Sequence, residues 1–173
     1  MIELGTNLSL KKILVKNSPL DQKDIALLNA VQQNALLTNA ELGTLVDLSP
    51  SGVQKRLRKL EENGVIEGYV TLLNRKEVGF DLLAFVKVTM AGHTTELIEE
   101  FDSSIQEMPE VLESHRIIGD ADYLLKVVVR DREELDFFLM KRLLALTPVA
   151  RVSSYLALKE VKETTKVSLR DPD

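Results

Sequence analysis

The order of apolar and polar residues separates the chain into a helical first half and a mixed second half. Between Leu20 and Gly64, apolar residues recur at helical spacing in three short segments, which predicts three helices in quick succession. Further along, apolar runs of strand length alternate with two segments of helical period. The predicted division is an N-terminal arm of unassigned role at residues 1–19, a first domain at 20–74, a linker at 75–81 and a second domain at 82–173.

Capping residues set the beginnings of the three helices. Asp21, Thr38 and Ser49 each precede a helical segment, and their side-chain oxygens can accept from the free amides of a first helical turn. The third helix ends at Gly64, a residue type favoured just past a helix end. A short turn joins the second and third helices, so the pattern predicts a helix-turn-helix. The β-rich residues 65–73 after it predict a short hairpin or wing.

The second half follows the order β-α-β-β-α-β. The predicted strands are Leu82–Met90, Val111–Ile118, Tyr123–Arg130 and Val149–Leu158, and the predicted helices are Thr94–Met108 and Arg132–Leu146. This order is that of a ferredoxin-like domain, in which two helices cover one face of a four-stranded sheet. The other face needs cover, which favours pairing with a second copy of the chain. The predicted fold class is therefore α+β, a winged helix-turn-helix joined to a βαββαβ domain.

Composition excludes several kinds of chemistry. The 173 residues include no cysteine, which removes disulfides, thiolate catalysis and cysteine-ligated zinc and fits a reducing cytosol. No stretch is long and apolar enough to span a membrane, and polar residues interrupt any signal-peptide core in residues 1–19. We therefore expect a cytoplasmic protein without a membrane partner.

The third helix carries the densest basic run of a chain whose net charge is −5. Val53, Leu57 and Leu60 give this helix an apolar face, and most of the basic residues lie opposite it. Arginine and glutamine can bond base edges, and lysine can neutralise phosphates. On charge alone, a solvated helix face is an equally good interpretation, but the capped helices and the wing favour DNA. The predicted DNA contacts are Ser49, Ser51, Gln54, Lys55, Arg56, Arg58 and Lys59.

Short motifs are spread along the chain from the first helix to its end. They include Leu48-Ser49-Pro50-Ser51, Arg56-Leu57-Arg58-Lys59-Leu60-Glu61, Asn63-Gly64-Val65-Ile66, Gly68-Tyr69, Pro109-Glu110-Val111 and Gly119-Asp120-Ala121-Asp122-Tyr123. In this order and spacing they resemble the Lrp/AsnC (leucine-responsive/asparagine regulator, feast/famine) family of transcription regulators, over nearly everything after Pro19. Two positions depart from the family pattern. Asp47 replaces glycine in the helix-helix turn, where it can adopt a left-handed backbone, and Gly43 replaces alanine inside the second helix and allows close packing.

The resemblance implies a ligand site and an assembly. It implies that the C-terminal domain, of the ferredoxin-like kind called RAM or ACT-like, forms homodimers. In the family such dimers often assemble further into octamers, and amino acids bind between subunits. The predicted effector residues are Gly119, Asp120, Ala121, Asp122 and Tyr123, with His115 on the preceding strand. Glycine amides could meet a carboxylate, an aspartate could accept from an α-amino group, and Tyr123 could cap the pocket. Without the resemblance, an ordinary hairpin turn is the better interpretation of this loop.

Two other functions stay open at this stage. Sirohaem decarboxylases resemble this architecture but act through histidines, of which this chain has two. The sequence contains no Ser-His-Asp pattern, phosphate loop or metal motif, so we expect no enzyme activity, cofactor or metal. The other alternative is an amino-acid-sensing partner protein that does not bind DNA. The favoured hypothesis is a sequence-specific regulator that binds double-stranded DNA and responds to a small effector, expected to be an amino acid.

Overall fold

The computed structural model describes residues 20–169, which fold as two compact units. Of these residues, the first unit contains 20–71 together with 164–169, and the second contains 72–163. Residues 164–169 therefore group with the helices, whereas the sequence assigned them to the second domain. The predicted arm at 1–19 lies outside the described residues. None of the helices in residues 20–169 combines the length and the apolar character that a membrane span requires.

Three capped helices form the first unit. They are α1 (Gln22–Gln33), α2 (Asn39–Val46) and α3 (Pro50–Glu62). The side chains of Asp21, Thr38 and Ser49 accept from backbone amides of their first turns, as predicted. The C-terminal segment joins this unit at α1. There the Gln32 side-chain amide donates to the carbonyl of Val167 at 3.2 Å and accepts from its amide at 2.8 Å.

The turn between α2 and α3 depends on two unusual backbone positions. Asp47 adopts the left-handed conformation, with φ 52° and ψ 60°, so the predicted role of an aspartate in place of glycine is confirmed. Gly43 packs against the turn so closely that an added Cβ would lie 2.5 Å from the Leu48 carbonyl oxygen. Around this turn, the core of the unit is built from Leu27, Leu42, Val46 and Val53.

The β-rich segment after α3 has no regular strand in the structure. Residues 65–81 run without helix or strand, and Val70 and Leu72 are exposed. The Tyr69 hydroxyl donates to Glu61 of α3 at 3.0 Å, which ties the segment to the helix. Among the described residues no strand pairs with it, so its β-forming side chains alone do not give the predicted hairpin.

The second unit is a four-stranded antiparallel sheet with two helices. Its elements are β1 (Leu82–Met90), α4 (Thr95–Gln106), β2 (Val111–Arg116), β3 (Tyr123–Val129), α5 (Arg132–Phe137), a π-helical continuation of α5 (Phe138–Leu143) and β4 (Val149–Leu156). The strand order β2-β3-β1-β4 confirms the predicted ferredoxin-like fold.

One face of this sheet is buried and the other is open within the chain. Val86 of β1 and Leu125 of β3 point into the core, where Phe101 and Phe138 from the helices are fully buried. The alternate positions point the other way, and Phe85 of β1 lies directly opposite Tyr155 of β4 there. Both rings keep more than a third of their surface exposed. An uncovered sheet face with large apolar side chains is a feature that oligomers usually bury.

Candidate functional site

The outer face of α3 collects most of the residues predicted to contact DNA. Successive residues of an α-helix are about 100° apart, so residues opposite Val53 and Leu60 must face away from the core. Val53 and Leu60 are buried. The exposed residues on the other side are Ser51, Gln54, Lys55, Arg58 and Lys59. The structure therefore brings five of the seven predicted residues onto one accessible surface, which we call the α3 outer face.

Ser49 lies at the N-terminal end of this face. Its hydroxyl caps α3 by accepting from the Gly52 amide at 3.2 Å, and it lies 3.1 Å from the Ser51 hydroxyl. The end of a helix that exposes free amides carries partial positive charge and attracts anions such as phosphates. Ser49 is exposed, so it can cap the helix and still meet a phosphate.

The cations of the α3 outer face are only weakly held by other protein groups. Arg58 pairs with Glu62 at 2.8 Å, but both side chains are more than half exposed, so exchanging this partner costs little. Lys55 and Lys59 have no ion pair with any residue that the structure describes. Their charges are therefore available to a polyanion.

The structure does not place Arg56 on this face. Its terminal nitrogen Nη1 lies 2.6 Å from Asp21 and 2.7 Å from Asp24, both at the start of α1. These two carboxylates raise the pKa of Arg56. The pKa of Asp21 is lowered first by the Asp24 amide that donates to it and then by Arg56. The helical spacing could have excluded Arg56 from the α3 outer face. Arg56 lies three residues after Val53 and four before Leu60, so it shares the side of the helix that faces the core.

The predicted effector loop joins β2 to β3, and its first aspartate already has a partner. Both carboxylate oxygens of Asp120 lie 2.9 Å from Lys87 Nζ, and this contact lowers the pKa of Asp120. Lys87 Nζ also lies 5.8 Å from the centre of the Tyr155 ring. Lys87 was not predicted from the sequence. Its signal is the alternation along β1, which places it on the open sheet face between the buried Val86 and Val88.

Asp122 holds the other end of the loop in place. Its side chain accepts from the Met90 amide at 2.8 Å and lies 2.7 Å from His93 Nε2. These two donors, the Met90 amide first, lower the pKa of Asp122. The backbone amide of Asp122 also donates to the carbonyl of Val88 at 2.9 Å. Asp122 therefore fastens the loop to the end of β1.

Two of the predicted effector residues are buried in the chain. Ala121 is 8% exposed and Tyr123 is 3% exposed, with its ring 4.5 Å from that of Phe101. Burial, followed by the negative charge of Asp102, with which the hydroxyl makes no hydrogen bond, raises the pKa of Tyr123 to about 12. The capping role predicted for the Tyr123 side chain is not compatible with this position, because β3 turns that side chain toward the helices. Gly119 and Asp120 are the exposed members of the predicted loop set.

His115 lies on β2 and meets a residue of its own strand. Its Nε2 is 3.1 Å from Glu113, which also accepts from Lys126. Both donors, His115 first, lower the pKa of Glu113. No group of three or more histidine, aspartate or glutamate side chains lies close enough to hold a metal in the part of the chain that the structure describes.

Comparisons with known families match both units. A winged helix-turn-helix DNA-binding family matches residues 20–67, and the Lrp/AsnC ligand binding domain matches residues 83–167. The leucine-responsive regulatory protein of Haemophilus influenzae is 38% identical over 155 residues, which cover 90% of this chain and 93% of that protein. The protein of the same name from Escherichia coli K12 is 35% identical over 151 residues, covering 87% and 92% of the two chains.

Solved structures agree with this result. A transcriptional regulator from Neisseria meningitidis in complex with L-Met superimposes with a TM-score of 0.83 at 36% identity, covering 86% of this chain and 96% of the other. An AsnC family transcriptional regulator from Agrobacterium tumefaciens gives 0.81 at 37% identity, with the same coverage.

Proposed function

The chain belongs to the Lrp/AsnC family of transcription regulators, and from this we propose that the α3 outer face reads specific sites in double-stranded DNA under the control of an amino acid. The helix-turn-helix and the ligand-binding domain are both present. The relatives are named as regulators, which sets aside a sirohaem-decarboxylase-like enzyme. The matched DNA-binding family likewise disfavours a sensing partner that does not bind DNA.

The observation that carries the DNA-binding proposal is the α3 outer face. It joins a capped helix end, lysines without an ion pair among residues 20–169, and side chains able to bond base edges on one exposed surface. The proposed contacts are Ser49, Ser51, Gln54, Lys55, Arg58 and Lys59. We assign base reading to Gln54 and Arg58 and backbone contacts to the serines and lysines.

The effector we propose is an amino acid bound beside the loop after β2. The structure of a family relative was solved with L-Met bound. Lys87 and Asp120 place a positive and a negative charge 2.9 Å apart, and these charges complement the carboxylate and ammonium groups of an amino acid. The α-carboxylate would replace Asp120 at Lys87, and the α-ammonium would replace Lys87 at Asp120. In this proposal Gly119 contributes backbone amides, and Asp122 keeps the loop in shape.

We further propose that the regulator works as a homodimer in the cytoplasm. The open sheet face, with Phe85 and Tyr155, is the surface that a second copy would cover. Association of dimers into an octamer would bring loops of different subunits together, which would place the amino acid between subunits.

The test measures binding of the purified full chain to its own promoter DNA by fluorescence anisotropy, with and without each amino acid. Arg58→Ala should cost about 1–3 kcal/mol on the specific site and much less on random DNA if Arg58 reads a base. Lys55→Ala should weaken binding to both DNAs alike. If a variant that carries both Lys55→Ala and Arg58→Ala binds the promoter as tightly as the wild type, the assignment of the α3 outer face is wrong. Glu99→Ala, on an exposed face of α4, serves as the control.

A further inference from the structure

At the start of α1, all four carboxylate oxygens of Asp21 and Asp24 have hydrogen-bond partners, and Arg56 supplies two of these bonds. The Asp24 amide donates to Asp21 Oδ1 at 2.8 Å, and the Asp21 amide donates to Asp24 Oδ2 at 3.3 Å. Arg56 Nη1 takes the two remaining oxygens, Asp21 Oδ2 and Asp24 Oδ1. Each carboxylate therefore uses one oxygen to cap α1 and the other to hold α3.

Burial distinguishes this contact from the other ion pair of α3. The side chains of Arg56 and Asp24 are 32% and 19% exposed, whereas those of Arg58 and Glu62 are 77% and 60% exposed. Partly buried charges lose more when one partner is removed, because water restores less of the lost interaction. We expect the contact of Arg56 with α1 to influence the structure, and that of Arg58 with Glu62 to be readily exchanged.

A second contact holds α1 against the turn that precedes α3. Lys23 Nζ donates to the carbonyl of Asp47, the left-handed residue of the turn, at 2.9 Å. The first turn of α1 is therefore attached both to the body of α3, through Arg56, and to the turn before it, through Lys23. Two attachments along the helix restrict its rotation more than either would alone.

We infer that Arg56 is a positioning residue that sets the angle of α3 to DNA through Asp21 and Asp24, and does not itself contact DNA. The inference rests on the proposed function and assigns Arg56 a different role from that predicted for it by sequence. The competing role is a phosphate contact made by Nε or the second terminal nitrogen, with the aspartates merely orienting the side chain. The two roles differ in how DNA binding responds to salt and to loss of the aspartates.

The experiment compares four full-length proteins: wild type, Arg56→Gln, the pair Asp21→Asn with Asp24→Asn, and all three changes together. Asparagine caps helices about as well as aspartate, so the pair removes charge while keeping the cap. For each protein we measure affinity for promoter DNA across a range of salt concentrations, and the melting temperature without DNA. Lys55→Gln is the matched control on the α3 outer face.

A positioning role predicts that Arg56→Gln and the aspartate pair each weaken binding by roughly tenfold, with the salt dependence unchanged. The triple variant should bind no worse than either, because all three residues act as one unit. The melting temperatures should show the same coupling. Lys55→Gln should instead reduce the slope of log affinity against log salt by about 0.9 for each lost phosphate contact, and leave the melting temperature unchanged.

A phosphate contact would give the opposite pattern and overturn the inference. Arg56→Gln would then lower the salt slope as Lys55→Gln does, and the aspartate pair would tighten DNA binding by freeing Arg56. If Arg56→Gln does not fold, Asp21→Asn alone serves, since Asp21 is 52% exposed. Wild-type protein that bound no DNA would refute the proposed function, and the melting temperatures would still report separately whether the three residues are coupled.

Discussion

The α3 outer face and the loop between β2 and β3 both present charged residues, but they hold them differently. Lys55 and Lys59 on α3 have no ion-pair partner among the described residues, whereas Asp120 and Asp122 are bound to Lys87 and to the end of β1. Unpaired cations gain directly from a polyanion, because nothing has to be given up except counterions. The carboxylates of the loop are already bonded to groups of the protein, so each must give up such a bond before it can contact a ligand.

This difference indicates what each region needs from the rest of its unit. The α3 outer face needs a rigid support, which the caps, the turn at Asp47 and the contact of Arg56 provide. The loop needs an ion pair that can open for a ligand, and the Asp120 side chain is 76% exposed, so it can leave Lys87. Variants that change one region at a time show whether the rigidity of the α3 outer face and the ligand exchange of the loop are independent.

Gly43→Ala should destabilise the first unit by about 1–3 kcal/mol, because the new methyl group would lie 2.5 Å from the Leu48 carbonyl. In an ordinary helix the same change stabilises, so the sign itself is informative. Thermal unfolding measures the loss, and DNA affinity should fall with it. Gly68→Ala, where a methyl group meets nothing within 4 Å, is the control. A more stable Gly43→Ala protein would contradict the close packing of this turn.

Asp120→Asn should weaken binding of the amino-acid effector on the order of tenfold while leaving affinity for DNA without effector unchanged. The ammonium group would lose its charged acceptor, whereas the fold would lose an ion pair whose carboxylate side chain is 76% exposed. Calorimetric titration of the effector and anisotropy with DNA make the two measurements. Glu133→Gln, an exposed carboxylate on α5, is the control. Equal losses in both assays would show that loop and α3 outer face are not separable.

Much of the fold of both units could be predicted from the sequence, because it depends on local patterns of residues. The caps at Asp21, Thr38 and Ser49 mark the helices, and the strand and helix periods determine the βαββαβ order. The left-handed turn at Asp47 also follows from residue type. In each case the cause lies within a few residues of the effect.

The rest depends on contacts between distant residues, which local patterns do not contain. Arg56 belongs to the densest basic run, yet its partners lie 35 and 32 residues earlier. Tyr123 follows a turn motif, yet the pleat of β3 turns its ring into the core. The β-rich segment after α3 forms no strand because residue type alone cannot supply a pairing partner.

Asp122 should make the second unit sensitive to acid. Its pKa in the folded protein is lowered because the Met90 amide, and then His93, donate to the carboxylate. The stabilisation is complete above the pKa of the unfolded chain and is lost as the pH falls through the lower, folded-state pKa. Asp122→Asn, which cannot ionise, should cost about 1 kcal/mol near neutral pH and flatten this acid dependence. Melting temperatures of both proteins between about pH 6 and about pH 2 measure it. Glu99→Gln should leave the curve unchanged, and an unchanged Asp122→Asn curve would contradict the role of Asp122.

Tyr123→Phe should have the smallest effect, between no change and a gain of about 1 kcal/mol in stability. The Tyr123 hydroxyl is buried without a hydrogen-bond partner in the described chain, so its removal relieves a desolvation cost. The raised pKa of about 12 adds a second expectation. Ionisation favours the unfolded chain once the pH exceeds the ordinary tyrosine value, so Tyr123→Phe should also reduce alkaline unfolding.

The same variant decides whether Tyr123 takes part in effector binding. A ring held against Phe101 in the core predicts unchanged affinity for the amino acid, measured by calorimetric titration. Tyr123→Ala, which removes the ring as well, should cost about 3–5 kcal/mol in stability and shows that the ring is what the fold needs. Weaker effector binding by a Tyr123→Phe protein of normal stability would place the hydroxyl at the ligand after all. The effector site would then include a residue of the sheet core, so ligand binding and the stability of the second unit would depend on the same side chain.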